Sequence, residues 1–169
     1  MYSALVLIEA GKNGVPSSEA VVRTLAALVP AAIEGVVRDV ALAVRQPSDD
    51  FVRIADHAGC ALVTGETELL RRSFDALKEP RLVVLRAGRV PERAFVGELA
   101  DLAAYRASAS ALLLDAPDGW LTRVAPGLAR PSGVVAPRSL LRSDAESVRG
   151  IARALPSPAI LKARMIGDA

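Results

Sequence analysis

The sequence has one cysteine (Cys60), one histidine (His57) and one tryptophan (Trp120). A single thiol excludes an internal disulfide, and one thiol with one imidazole leaves no cluster of the spacing that zinc sites use. Aromatic residues amount to 4%, so a core has to be assembled chiefly from Ala, Val and Leu within the 51% that is hydrophobic. No apolar run approaches the roughly 18 residues of a membrane-spanning helix. An excess of one charge is lacking too: the net charge is +2, too little to drive nucleic-acid binding through phosphate neutralisation, and no nucleic-acid motif accompanies it. The apolar start, Met1 to Glu9, has no basic segment or cleavage site and is too short for a signal peptide. The expectation is a cytoplasmic protein. Lysine is scarce: three of the 21 basic residues are Lys and the rest are Arg, the side chain suited to bidentate contact with carboxylates and phosphates.

What is present reads as alternating strands and helices. Ala4 to Ile8 is a buried strand, followed by a turn at Gly11-Lys12-Asn13-Gly14 that lacks both phosphate-loop fingerprints. Ser17 or Ser18 then caps a helix with the stripe Val21, Val22, Leu25, Leu28 and Val29, ended by Pro30. Val36 to Val44 is a second strand. Ser48-Asp49-Asp50 starts a helix that closes on Gly59, with His57 in its last turn, where a helix dipole favours positive charge. Cys60 then packs as a small core residue. Ala61 to Val63 is a third strand and Glu66 to Leu77 a third helix. Leu82 to Leu85 is an apolar run suited to a strand buried on both faces, and Pro91 opens a helix reaching about Tyr105. Further strands fall at Ala109 to Leu114, Gly133 to Ala136 and Ala159 to Met165. Helices fall at Pro137 to Leu141 and Ala145 to Leu155. With no internal repeat or linker, residues 1–169 form a single α/β domain: a mixed, mostly parallel sheet flanked by helices.

In such sheets ligands bind beyond the carboxyl ends of the strands. That rule singles out Glu9 after the first strand, Arg45 after the second, and Arg86 and Arg89 after the fourth. Guanidinium groups at a strand-to-helix edge can hold a diphosphate without metal. Asp144 and Glu146 form a spaced acidic pair near a helix start. The segment from Asp115 to Pro131 carries Trp120, Leu121, Val124 and Leu128 beside Arg123 and Arg130, a pattern for a core cover or for a flap that meets a second copy, a partner or a membrane surface.

The runs Thr24 to Val40 and Ile54 to Gly59, with Asp118 to Leu121, Gly133 to Leu140 and Ile151 to Leu155, resemble bacterial family 2 glycosyltransferases, which have the nucleotide-diphosphosugar transferase (GT-A) fold. The resemblance implies a nucleotide-diphosphate sugar over the carboxyl edge, with an Asp after the second strand at the base. It also implies an Asp-x-Asp after the fourth strand holding a divalent metal on the diphosphate, and a late Glu-Asp pair supplying the base. The chain departs from this pattern at each point. The second-strand Asp falls on Val44 beside Arg45, and the Asp-x-Asp on Arg86-Ala87-Gly88. The Glu-Asp pair falls near Glu146-Ser147, and the usual Pro-Thr-x-Asn becomes Leu7-Ile8-Glu9-Ala10.

Three readings follow. The first is a glycosyltransferase-like protein that binds a nucleotide-diphosphate sugar without metal or other cofactor, with reduced or no ordinary transfer, leaving Asp144 and Glu146 as the catalytic candidates. The second is a non-catalytic scaffold or partner subunit that associates, as a homo-oligomer, through the Trp120 region. The third is a nucleotide or anion sensor using the arginine edge.

Overall fold

The computed structural model describes residues 1–10, 14–105, 108–117, 120–125, 127 and 129–167. Residues 11–13 of the expected turn, and Asp118, Gly119 and Leu128 of the Trp120 segment, lie outside the described residues.

The first half is built from β1 (Tyr2–Ile8), α1 (Ser18–Ala26), α2 (Val29–Ile33), β2 (Val37–Val44), α3 (Asp49–Ala58), β3 (Ala61–Thr64), α4 (Leu69–Ala76) and β4 (Arg81–Arg86). Its helix ends follow local chemistry. Ser17 caps α1 by accepting from the Ala20 amide, Ser48 caps α3 by accepting from Phe51, and Gly59 ends α3 in the left-handed region at φ 65°, where a side chain would be strained. Pro30 does not end a helix. It sits in the first turn of α2, where its missing N–H has no helical partner to lose. Cys60 is partly buried against the core, and burial pushes its thiol pKa up.

The second half comprises β5 (Arg89–Pro91), α5 (Ala94–Tyr105), β6 (Ala111–Asp115), α6 (Trp120–Val124), β7 (Pro131–Pro137), a 3-10 turn (Arg138–Leu140), α7 (Val148–Ala154) and β8 (Ala159–Gly167). Here Pro91 lies in β5, paired with Met165 of β8, and the helix starts only at Ala94. Proline is tolerated there because β5 is the last strand of the sheet, with one side free of the ladder.

The eight strands run in the order β3-β2-β1-β4-β7-β6-β8-β5. β3, β2, β1 and β4 are parallel to one another, β7 is antiparallel to β4 and β6, β8 is parallel to β6, and β5 is antiparallel to β8. Only Ala87 and Gly88 join β4 to β5, yet β7, β6 and β8 lie between them in the sheet. The sheet therefore curls so that its β5 edge returns to the end of β4. Side chains alternate between two cores, as the two-residue period of a strand requires. Val6, Val83 and Leu85 face α1, α3 and α5, whereas Leu5, Leu82, Val84, Val134 and Ala136 face α4 and α7. Among the described residues no helix is long and apolar enough to cross a membrane.

Candidate functional site

The turn between β4 and β5 is held from below by one buried hydroxyl. Thr24 of α1 is fully buried; its Oγ1 accepts from the Gly88 amide at 3.0 Å and lies 3.0 Å from the Arg89 carbonyl, to which it also donates. The Ala87 amide donates to the Leu7 carbonyl at 2.9 Å. Gly88 has φ 80°, and a Cβ there would stand 3.3 Å from Pro16. This anchoring presents Arg86 and Arg89 at a defined place on the carboxyl edge. Sequence reading saw Thr24 only as part of a helix, because nothing local shows that its hydroxyl meets a turn from the far side of the chain.

Arg86 points onto the face shared with α7, since Leu82 and Val84 of the same strand face that core. There its Nε lies 3.8 Å from Glu9 Oε2, and the two side chains are 11% and 10% exposed. The other Glu9 oxygen accepts from the Val148 amide at the start of α7. Burial pushes the Glu9 carboxyl pKa up, opposed by the Val148 hydrogen bond and the charges of Arg86 and Arg130. Burial lowers the Arg86 pKa, as do the nearby charges of Arg130 and Arg89, while Glu9 and Asp115 oppose them. Arg89 Nη2 sits 3.7 Å from Asp115 Oδ2 at the end of β6. Two arginines thus face two carboxylates, and the charge of Arg130 acts on Glu9 and Arg86 as well. Among the described residues, Arg86 Nη1 and Asp115 Oδ1 are buried without a hydrogen-bond partner.

The remaining candidates line a separate cleft of about 370 Å³ at the ends of β1, β2 and β3, whose walls include Leu7, Arg45, Glu66, Arg71, Asp144 and Glu146. Arg45 Nη1 donates to the Glu66 carbonyl at 3.1 Å, and its Nη2 lies 3.7 Å from Glu146. Asp144 is bound through both oxygens by Arg142, which holds its pKa down. A carboxyl so held is a poor proton acceptor near neutrality. The structure therefore joins Glu9 to Arg86 and Arg45 to Glu146, sets Arg89 on Asp115, and leaves Asp144 on the surface. Asp115 and Arg130 were missed as site residues. Their only sequence signal is position, one at a strand end and the other just before Pro131.

The residues at the end of β4 do not fit a divalent cation. Magnesium or manganese requires several oxygen ligands, and here Arg86, Ala87, Gly88 and Arg89 supply no carboxylate. Glu9 and Asp115 each already face a guanidinium. Among the described residues no group of three or more His, Cys, Asp or Glu is placed to hold a metal.

No family model matches the chain, and no curated protein matches it in sequence. Solved structures do match. Glucosyl-3-phosphoglycerate synthase from Mycobacterium tuberculosis in complex with phosphoglyceric acid superposes with a TM-score of 0.59 at 17% identity, over 83% of this chain and 58% of that one. The fold is GT-A-like. The same enzyme in complex with Mn2+, uridine diphosphate and glucosyl-3-phosphoglycerate matches with a TM-score of 0.58 at 17% identity and the same coverage of both chains. A mycobacterial protein matches with a TM-score of 0.59 at 18% identity, over 83% of this chain and 54% of its own. The chain thus spans a little over half the length of these structures. At such identities the likeness is one of GT-A-like fold, and function has to be argued from the site.

Proposed function

We propose that this chain binds a nucleoside diphosphate, free or as a nucleotide sugar, at the carboxyl edge of its GT-A-like sheet without a divalent metal, and that ordinary glycosyl transfer is reduced or absent. The observation that carries this reading is the charge at the end of β4: Arg86 and Arg89 each face one carboxylate, Glu9 and Asp115, the charge of Arg130 acts on Arg86 as well, and among the described residues no group of three or more His, Cys, Asp or Glu is placed to hold a metal. Guanidinium groups neutralise a diphosphate and match its oxygens in pairs. Reduced transfer is supported by Asp144 being engaged with Arg142 and Glu146 facing Arg45, so neither acid stands free as a base.

Calorimetric titration with uridine diphosphate and its glucose ester, in chelator at low salt, tests this reading. Binding is expected without metal, unchanged by added manganese, and weaker as salt rises, because the attraction is between charges only partly shielded from solvent. Flat heats at millimolar ligand, or binding that appears only with manganese, would overturn it.

A second reading, association through the Trp120 region, is favoured by α6. Trp120 is 72% exposed and Val124 is 78% exposed, more apolar surface than so short a helix needs to leave in water. Sedimentation over a hundred-fold range of concentration is expected to show self-association that Trp120→Ala abolishes. A monomer at every concentration, with the same red-shifted indole emission throughout, removes self-association through this helix.

A further inference from the structure

Within the proposed site, and resting on that reading, we infer that Glu9 is the resident anion of a three-arginine receptor and that a pyrophosphate-type ligand binds by displacing its carboxylate from Arg86.

The Glu9–Arg86 contact is loose. At 3.8 Å it lies beyond hydrogen-bond reach, so the guanidinium is neutralised but not saturated. Its Nη1 is buried and unpartnered among the described residues. A second buried, unpartnered group lies beside it. Leu85 pairs with Gly133 across the β4–β7 ladder, which sets Ser132 next to Arg86. Ser132 shares a face with Val134 and Ala136, in the same core as Leu82 and Val84. Ser132 is fully buried and its hydroxyl makes no hydrogen bond among the described residues. Two polar side chains with unused hydrogen-bonding capacity, under an excess of positive charge, describe a place short of one anion.

Glu9 fills this place only in part, because one of its oxygens is committed to the Val148 amide. Asp115 is drawn to Arg89. A terminal phosphoryl group brings three oxygens and more charge than one carboxylate, and its geometry suits the guanidinium fork. On its arrival Arg86 exchanges Glu9 for the ligand, the freed Glu9 carboxyl, whose pKa burial already raises, takes up a proton from solvent, and the charge of the exposed Arg130 adds to the attraction.

The probe is inorganic pyrophosphate, titrated into the full chain in chelator at low salt. Glu9→Gln removes the competing charge and keeps an amide oxygen for the Val148 N–H. It is expected to tighten pyrophosphate binding about ten-fold, the effect of one charge-assisted contact. Arg130→Ala, a substitution at an exposed position, is expected to leave the fold intact and to weaken binding several-fold. Unchanged or weaker binding in Glu9→Gln, unchanged binding in Arg130→Ala, or no pyrophosphate binding to the wild type and Glu9→Gln alike would each overturn the inference. Uridine diphosphate run in parallel separates it from the nucleotide reading. Pyrophosphate behaving as expected, with the nucleotide no tighter, keeps the inference and removes that reading. Tight nucleotide binding that ignores Glu9→Gln does the reverse.

Discussion

Arg86→Met is expected to lower the free energy of unfolding by about 3 kcal/mol near neutral pH, because a buried carboxylate then loses its counter-charge while the volume stays filled. The Glu9 side chain is 10% exposed, so water cannot take the place of the guanidinium. The loss should depend on pH in a defined direction. Burial already raises the Glu9 pKa above its ordinary 4.5, so the folded chain holds this proton more tightly than the unfolded chain does. The contribution to stability is full below the unfolded value and is lost as pH rises through the folded one. Removing Arg86 takes away a charge that pulls the Glu9 pKa down, which widens that window upward. The variant is therefore expected to differ least from wild type at about pH 4 and most above neutrality. The double variant Glu9→Gln/Arg86→Met should recover most of the loss, because neutral groups of similar size replace the pair. Urea unfolding of the four proteins at both pH values measures the cycle. A single-variant loss below about 0.5 kcal/mol, the size of an ordinary surface change, or a double variant no better than the single, would show that the two charges are not coupled.

Gly133→Val is expected to be similarly damaging for a purely steric reason. Gly133 lies in β7 between β4 and β6, and a Cβ there would stand 2.9 Å from Leu113 Cβ and 3.0 Å from Leu85 Cδ2. The Leu85 methyl can turn away, but Leu113 Cβ is fixed to a strand. Overpacking at such a point costs about 3 kcal/mol for valine and about 1 kcal/mol or more for alanine. Gly97 in α5 is the contrast: it is exposed and a Cβ there would meet nothing within 4 Å. Gly97→Ala should stabilise by about 0.5–1 kcal/mol through helix propensity. Thermal melts of the three variants check the order, and a Gly133→Val protein as stable as wild type would mean that β7 is not clamped between Leu85 and Leu113.

The two glycines look alike in the sequence, and that likeness marks what a chain says about itself. Continuous apolar runs revealed β1, β2 and β4, because a strand covered on both faces has no polar side to interrupt it. The pair Ser17-Ser18, the run Ser48-Asp49-Asp50 and Gly59 marked helix ends, because caps act between residues only a few positions apart. From these followed the α/β class and the rule that put Glu9, Arg45, Arg86 and Arg89 on one edge. The sequence also determined that Arg86, Ala87, Gly88 and Arg89 offer no side-chain carboxylate, whatever the fold.

The tertiary structure alone decided the rest. β5 is three residues long and contains Pro91; so short a strand carries no period of its own and exists because β8 pairs with it. Proline after a glycine-containing turn reads locally as a helix start, and only the curl of the sheet makes it an edge strand. Nor did any local pattern show that Arg86 turns inward to Glu9, that Asp115 and Arg130 join them, or that Thr24 holds their turn. Those contacts bring together β1, α1, β4, β6 and the segment before β7, whose side chains meet only once the sheet has assembled. Periodicity and capping are encoded within a few residues, whereas charge pairing depends on distance in space.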